Sequence, residues 1–168
     1  MPTAIGFRVE PKKVTYGVVE GPTQGKFTVV SVGEVCVPFA LQAPRQLRFI
    51  RTTLLDIIEE TGSTRAGLRI AEPMAQRKDP FRLNLEGVVQ ELLASSDVER
   101  FIAGPIATIA KLLGERDRTA IKGLIEGHKP PMVDAAWDDL DDLQREALLV
   151  AVCAGLTKVA DGMGAGPK

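Results

Sequence analysis

The chain has 168 residues, 45% of them hydrophobic and 26% charged, which fits one globular domain and excludes collagen-like, disulfide-framework and fully disordered classes. Its 21 basic and 22 acidic residues leave a net charge of −1, so any surface for nucleic acid must be a local patch rather than the whole molecule. No apolar run approaches the ~18–20 residues of a membrane span, and Met1 to Gly6 carries no secretory pattern, so a cytoplasmic protein with no membrane partner is expected. Cys36 and Cys153 lie inside apolar runs and read as buried thiols of a reducing compartment.

Three strands are predicted first. Residues 4–10 alternate apolar and other side chains, residues 14–20 are rich in β-branched residues, and residues 27–37 form a third β-rich run with Gly33 as its bulge. The short turns between them favour antiparallel pairing. Pro44 then opens a helix whose stripe is Leu47, Ile50, Leu54 and Ile57, closed by Thr61-Gly62. Residues 67–71 read as a buried strand ending at Glu72-Pro73, and residues 74–81 as a polar, partly basic loop. A helix marked by Leu85, Val88, Val89, Leu92 and Leu93 follows, then a strand over 98–103 stopped by Gly104-Pro105. A short helix ends at Gly114, another covers 117–125, and 127–133 is a connector. The last helix is placed from Trp137–Asp139 onward, with Leu140, Leu143, Ala147, Val150 and Ala154 on its apolar stripe. The expected organisation is one domain over 1–160 and a glycine-rich disordered tail over 161–168. Strands reached across helices should lie parallel, giving an α/β mixed sheet flanked by helices.

Absences narrow the chemistry. The single histidine, His128, sits in a connector and reads as solvated. No Cys/His set has zinc spacing, and neither a phosphate-binding P-loop nor a nucleophile elbow is present. Carboxylates at element ends remain. Glu72 ends an apolar strand, where open α/β sheets place ligands. Asp139, Asp142 and Glu146, spaced by 3 and 4, share a helix arc of roughly 60°. Three acids on one face repel unless a cation relieves them, and magnesium accepts such oxygen-rich sites. Acids also crowd helix starts to complement the macrodipole, so Asp138, Asp139, Asp141 and Asp142 equally fit a solvated helix start.

The element order resembles the ribonuclease-H-like superfamily, and within it the RuvC-type Holliday-junction resolvases and their small relatives. Residues 6–19, GFRVEPKKVTYGVV, align without a gap to the resolvase first-strand pattern G-I-D-P-G-x-x-x-x-G-Y-G-V-[VI]. Arg69-Ile70-Ala71-Glu72 resembles the family's V-A-I-E strand end, residues 82–89 the helix after that glutamate, and residues 143–151 its closing D-x-x-D-A-L-A-[IV]-A helix. The resemblance implies phosphodiester hydrolysis at two magnesium or manganese ions held by carboxylates from the first strand, the fourth strand and the last helix. Carried over, Glu72 matches the strand glutamate and Glu146 the second helix aspartate. The first-strand aspartate falls on Arg8 and the first helix aspartate on Leu143, with Asp142 one residue away. Glu10 lies two residues past Arg8, on the same strand face.

Two readings of Arg8 follow. In one, Glu72, Glu146, Asp142 and Glu10 are catalytic, and Glu72, Glu146, Asp142 and Asp139 hold the metal. In the other, Arg8 neutralises the acidic pocket and the chain is a non-catalytic binding or assembly module needing no cofactor. Under the resemblance, Arg69, Arg77, Lys78 and Arg82 form a basic patch for DNA or RNA beside the site. Low aromatic content points that patch at backbone rather than bases. Resolvase-like proteins pair, so a homodimer is a further expectation, with Leu47, Arg48, Arg51, Leu54 and Leu55 as candidate contacts.

Overall fold

Alternation along the first strand sets up the two faces of the molecule. In β1 (Thr3–Val9), Ile5, Phe7 and Val9 enter one apolar cluster, while Ala4, Gly6 and Arg8 lie on the opposite face. The computed structural model describes residues 1–22 and 25–156. The expected disordered tail, 161–168, lies outside them, as do the last residues of the expected 1–160 domain.

After β1 come β2 (Lys13–Glu20), β3 (Phe27–Cys36), α1 (Ala43–Thr61), β4 (Arg65–Arg69), α2 (Pro80–Ser95), β5 (Arg100–Gly104), α3 (Ile106–Leu112), α4 (Arg118–Ile125), β6 (Val133–Asp134) and α5 (Asp142–Leu156). The sheet order is β5-β4-β1-β2-β3-β6. β1, β2 and β3 pair antiparallel, whereas β4 joins β1, β5 joins β4 and β6 joins β3 in parallel. This is the mixed sheet expected from the sequence. β1, β3, β4 and β5 therefore all end at one edge of the sheet. The turn from β1 to β2 and the starts of α1, α2 and α3 belong to that edge as well.

One face is covered by α1 and α2, through Ile50, Leu54 and Ile58 of the first and Leu85, Val89, Leu92 and Leu93 of the second. The other is covered by α3, α4 and α5. α5 is buried all round from Arg145 to Gly155 and lies across the centre of the sheet. Glycine makes that approach possible. Gly6 on β1 stands in register with Gly17 on β2 and with Gly67 on β4, a row of three positions without side chains. A Cβ on Gly6 would stand 2.1 Å from the Ala147 carbonyl oxygen and 2.4 Å from the Ala151 nitrogen. On Gly67 it would meet Val150 Cγ1 at 2.6 Å, and on Gly17 Leu148 Cδ2 at 2.7 Å. The helix rests on strand backbone.

Several boundaries differ from the sequence expectation. β4 runs 65–69 rather than 67–71, because pairing to β1 starts at Ala4↔Arg65. The bulge of β3 falls opposite Val18/Val19, not at Gly33, which the Tyr16 ring covers. α2 begins at Pro80, where Asp79 accepts a 2.8 Å bond from the Arg82 N–H. The supposed connector 127–133 ends in β6, and Phe27 N–H donates to Met132 O across the same junction. The last helix starts at Asp142, not at 137–139. Trp137–Asp139 form a separate 3-10 turn anchored by the Trp137 indole N–H on Leu124 O. Leu140 is extended, and Asp141 and Gln144 exchange side-chain-to-backbone bonds of 2.8 and 3.0 Å that open α5.

Cys36 is exposed, contrary to expectation, because it ends β3 beyond the cover of α5, near Glu34. Cys153 is buried, and desolvation pushes its thiol well above the ordinary range. His128 is exposed as expected. Among the described residues no helix is long and apolar enough to cross a membrane. Of the candidate dimer contacts, Leu54 is fully buried, Leu47 and Leu55 pack on the same core, and Arg51 is tied to Glu91 of α2 at 2.7 Å.

Two measurements check this packing. Gly6→Ala should lower stability in urea by about 3 kcal/mol or more, since backbone on both sides must shift. Gly87→Ala, on α2 with nothing within 4 Å, should instead raise it by about 0.5–1 kcal/mol. In the native protein, iodoacetamide should modify Cys36 and spare Cys153, as read by mass spectrometry.

Candidate functional site

The glycine row also positions charge. One step toward the shared sheet edge from Gly6 and Gly67, the same face carries Arg8 and Arg69, which are themselves paired across β1 and β4. Two guanidinium groups side by side on one face repel, so their burial requires an anion. α5 supplies it one turn before Val150. Glu146 Oε2 accepts from Arg8 Nε at 2.8 Å, and Glu146 Oε1 lies 2.9 Å from Arg69 Nε. The Arg8 contact is an aligned hydrogen bond. The Arg69 Nε contact is an ion pair without hydrogen-bond alignment. The side chains of all three are about nine-tenths buried, at 13% exposure for Arg8, 9% for Arg69 and 10% for Glu146.

Backbone completes the clamp. Arg8 Nη1 donates to Val9 O at 2.7 Å, and Arg69 Nη1 donates to Ile70 O. Arg65, two positions before Gly67, donates to the Gly155 carbonyl near the other end of α5, where helix carbonyls lack intrahelical partners. β4 thus holds α5 at both ends, through an Arg-x-Gly-x-Arg run with the strand's period of two. Burial pushes the Arg69 guanidinium down from its ordinary value. Glu146 opposes that push, Arg8 adds to it, and Glu72 opposes it again. Arginine stays charged throughout, so the consequence is a strong demand for the two carboxylates.

Glu72 lies just past β4 and joins the cluster from the other side. Its Oε1 sits 2.9 Å from Arg69 Nη2 and accepts the Ile106 N–H at the start of α3 at 3.1 Å. Its Oε2 is 3.5 Å from Arg118 Nη2 on α4. Glu72 and Glu146 are therefore brought together through one shared arginine. The remaining expected acids are not part of this group. Asp142 is exposed and pairs with Arg145 at 3.2 Å. Asp139 lies in the 3-10 turn, off the helix face it was expected to share. Glu10 follows β1 at the turn, where its N–H donates to Lys13 O.

A two-metal centre needs carboxylate oxygens facing a common space. Here the first-strand position is a guanidinium, and both oxygens of Glu146 face arginines. The residues present do not fit a divalent cation. Among the described residues, no group of three or more His, Cys, Asp or Glu side chains is placed to hold one.

Beside the cluster opens a hollow of about 340 Å³, lined by Arg8, Pro11, Arg69, Ala71, Glu72, Ala75, Arg77, Lys78, Asp79, Arg82 and Leu83. All four residues of the expected basic patch line it. Arg69 is committed to Glu146 and Glu72, and Arg82 Nε is 3.0 Å from Glu86 Oε1. Arg82 Nη2 is buried without a hydrogen-bond acceptor. Arg77 and Lys78 are exposed and, among the described residues, make no ion pair. These two cations share the rim of the hollow with the Asp79 carboxylate that caps α2. The pairing of Arg8 with Glu146 is the one the second reading of Arg8 describes, whereas Glu86 and the roles of Arg65 and Arg69 in the clamp were not singled out from sequence, although the period-two spacing of Arg65, Gly67 and Arg69 was available there.

No family model matches the chain, and no curated protein matches its sequence. Solved structures do match. The RuvC structure from Thermus thermophilus superposes with a TM-score of 0.66 at 14% identity, over 90% of this chain and 92% of that one. The fold is ribonuclease-H-like, of the resolvase type. T. thermophilus RuvC in complex with a Holliday junction substrate matches at a TM-score of 0.62, 14% identity and 90% and 91% coverage. The yeast mitochondrial Holliday junction resolvase matches at 0.55 and 12%, over 92% of this chain and 80% of that one. The resolvase-type fold expected from the sequence is present with a cation at the first-strand position.

The cluster predicts an order of effects. Glu146→Ala strands two buried arginines and should cost about 3–5 kcal/mol in urea unfolding. Arg8→Ala leaves Glu146 paired with Arg69 and should cost less. Equal losses, or a larger one for Arg8→Ala, would contradict the shared-carboxylate arrangement.

Proposed function

We propose that this protein binds nucleic acid at the basic hollow and does not cleave it. One observation carries the reading: each oxygen of Glu146 faces an arginine, so the carboxylate is spent on Arg8 and Arg69. Positive charge then remains at Arg77 and Lys78, on the loop that leads into α2. Arg82 lines the same wall. The resolvase-type fold supports the same direction, since one structure with this fold is described as a complex with a Holliday junction substrate. Arg69 acts here as the pivot that holds Glu72 and Glu146, and Arg77, Lys78 and Arg82 meet the phosphates.

The test is binding and cleavage of four-way-junction and duplex DNA, and of RNA, in EDTA and in manganese. Binding should persist in EDTA and weaken steeply with salt. Replacing both Arg77 and Lys78 by Ala should lower the slope of log affinity against log salt by about 1–2. The substrate should stay intact in manganese. Manganese-dependent cleavage that disappears in Glu146→Gln would overturn the reading.

A further inference from the structure

The sheet edge that carries the hollow also carries an exposed aromatic side chain held on a rigid support. β3 ends beside the turn from β1 to β2, where Val37 N–H donates to Lys12 O at 2.9 Å. The chain then makes a tight turn, closed by Leu41 N–H on Pro38 O at 3.0 Å, with Phe39 at its first corner. Gln46 of α1 donates from Nε2 to the same Pro38 oxygen at 3.3 Å, tying the turn to the helix. Phe39 is 67% exposed on this support, and Leu41, at the close of the same turn, is 36% exposed. The Phe39 backbone is held by bonds on both sides while its ring stands in water.

The surrounding charge says what it contacts. Between Glu34 and Asp56 the chain has no acidic residue, while Arg45 and Arg48 are exposed on the first turns of α1 and Lys12 is exposed across the turn. Lys12, Arg45 and Arg48 are thus the exposed cations around this turn, beside the Lys13–Glu34 ion pair and Glu10, at the sheet edge that also carries the loop of Arg77 and Lys78. From β3 to β4 is three strand spacings, roughly 15 Å, a distance a single nucleic-acid strand covers in a few nucleotides. A base–aromatic stack needs an unpaired base, whereas phosphate contacts do not.

We propose that Phe39 stacks on an unpaired base of the nucleic acid held at the hollow, so that the protein prefers strands with unstacked bases over continuous duplex. This rests on the nucleic-acid reading above and adds a residue that sets its specificity. Lys12 and Arg45 flank the base as phosphate contacts, and the ring supplies the part of the affinity that salt does not screen.

The test measures binding of a ten-nucleotide thymidine strand and of a duplex of equal length to the full chain, by fluorescence anisotropy. Phe39→Ala should weaken single-strand binding by roughly 5- to 100-fold and leave duplex binding unchanged. Phe39→Trp should keep single-strand affinity, and its indole emission should be quenched on binding. Trp137, only 2% exposed, contributes a constant background. Unchanged single-strand affinity in Phe39→Ala, or an equal loss on both ligands, overturns the proposal. A changed oligomeric state with unchanged affinity overturns it in favour of a protein contact. If the parent binds neither oligonucleotide, the nucleic-acid reading itself falls. If it binds both and Phe39→Ala alters neither, only the stacking role falls.

Discussion

Three glycines in register on neighbouring strands let a helix lie on bare backbone, and the rest of the site follows from that contact. Gly6, Gly17 and Gly67 leave a row without Cβ atoms beneath α5, so Ala147, Leu148, Val150 and Ala151 come down onto the strands there. With the helix at this height, Glu146 reaches Arg8 and Arg69 at hydrogen-bond distance one step along the same face. A helix held higher by side chains would leave two buried guanidinium groups without their shared anion. Packing and electrostatics are therefore one constraint here. The glycines set the distance, and the distance decides whether the charges can be buried.

Much of the fold was legible because its signals are local. The alternation in β1, the Pro44 start and Gly62 end of α1, and the strand–helix alternation after residue 62 each lie within a short window. Glu72 and Glu146 were legible as neighbours only through the resemblance, since 74 positions separate them in the chain. The glycine row was not legible, because it appears only when the register of three strands is known. The start of α5 was misplaced for a related reason. Asp138, Asp139, Asp141 and Asp142 look like a continuous helix start, and the Trp137 anchor on Leu124 and the Asp141–Gln144 exchange that break it are tertiary and local choices that spacing does not separate. Cys36 was misplaced because it is the last residue of β3, where the apolar run leaves the cover of the helices.

The comparison with resolvase structures establishes architecture, and the side chains at the shared position carry the chemistry. In the resemblance, the first-strand residue is an acid that draws metal ions. Here it is Arg8, and a second arginine, Arg69, stands beside it in register. Two arginines and two carboxylates, Glu146 and Glu72, therefore neutralise one another at this edge. The loop after Glu72 carries Arg77 and Lys78 beside them, and the turn after β3 adds an aromatic ring. All these parts meet because β1, β3 and β4 run parallel and finish at one edge.

The most direct measurement of that neutralisation is a crystal soaked in manganese and read by anomalous scattering around Arg8, Glu72 and Glu146. The arginine-held carboxylate predicts no anomalous peak there, with the Arg8 and Arg69 contacts to Glu146 unchanged. A manganese peak coordinated by Glu146 and Glu72, with Arg8 displaced, would contradict it and return the site to metal chemistry.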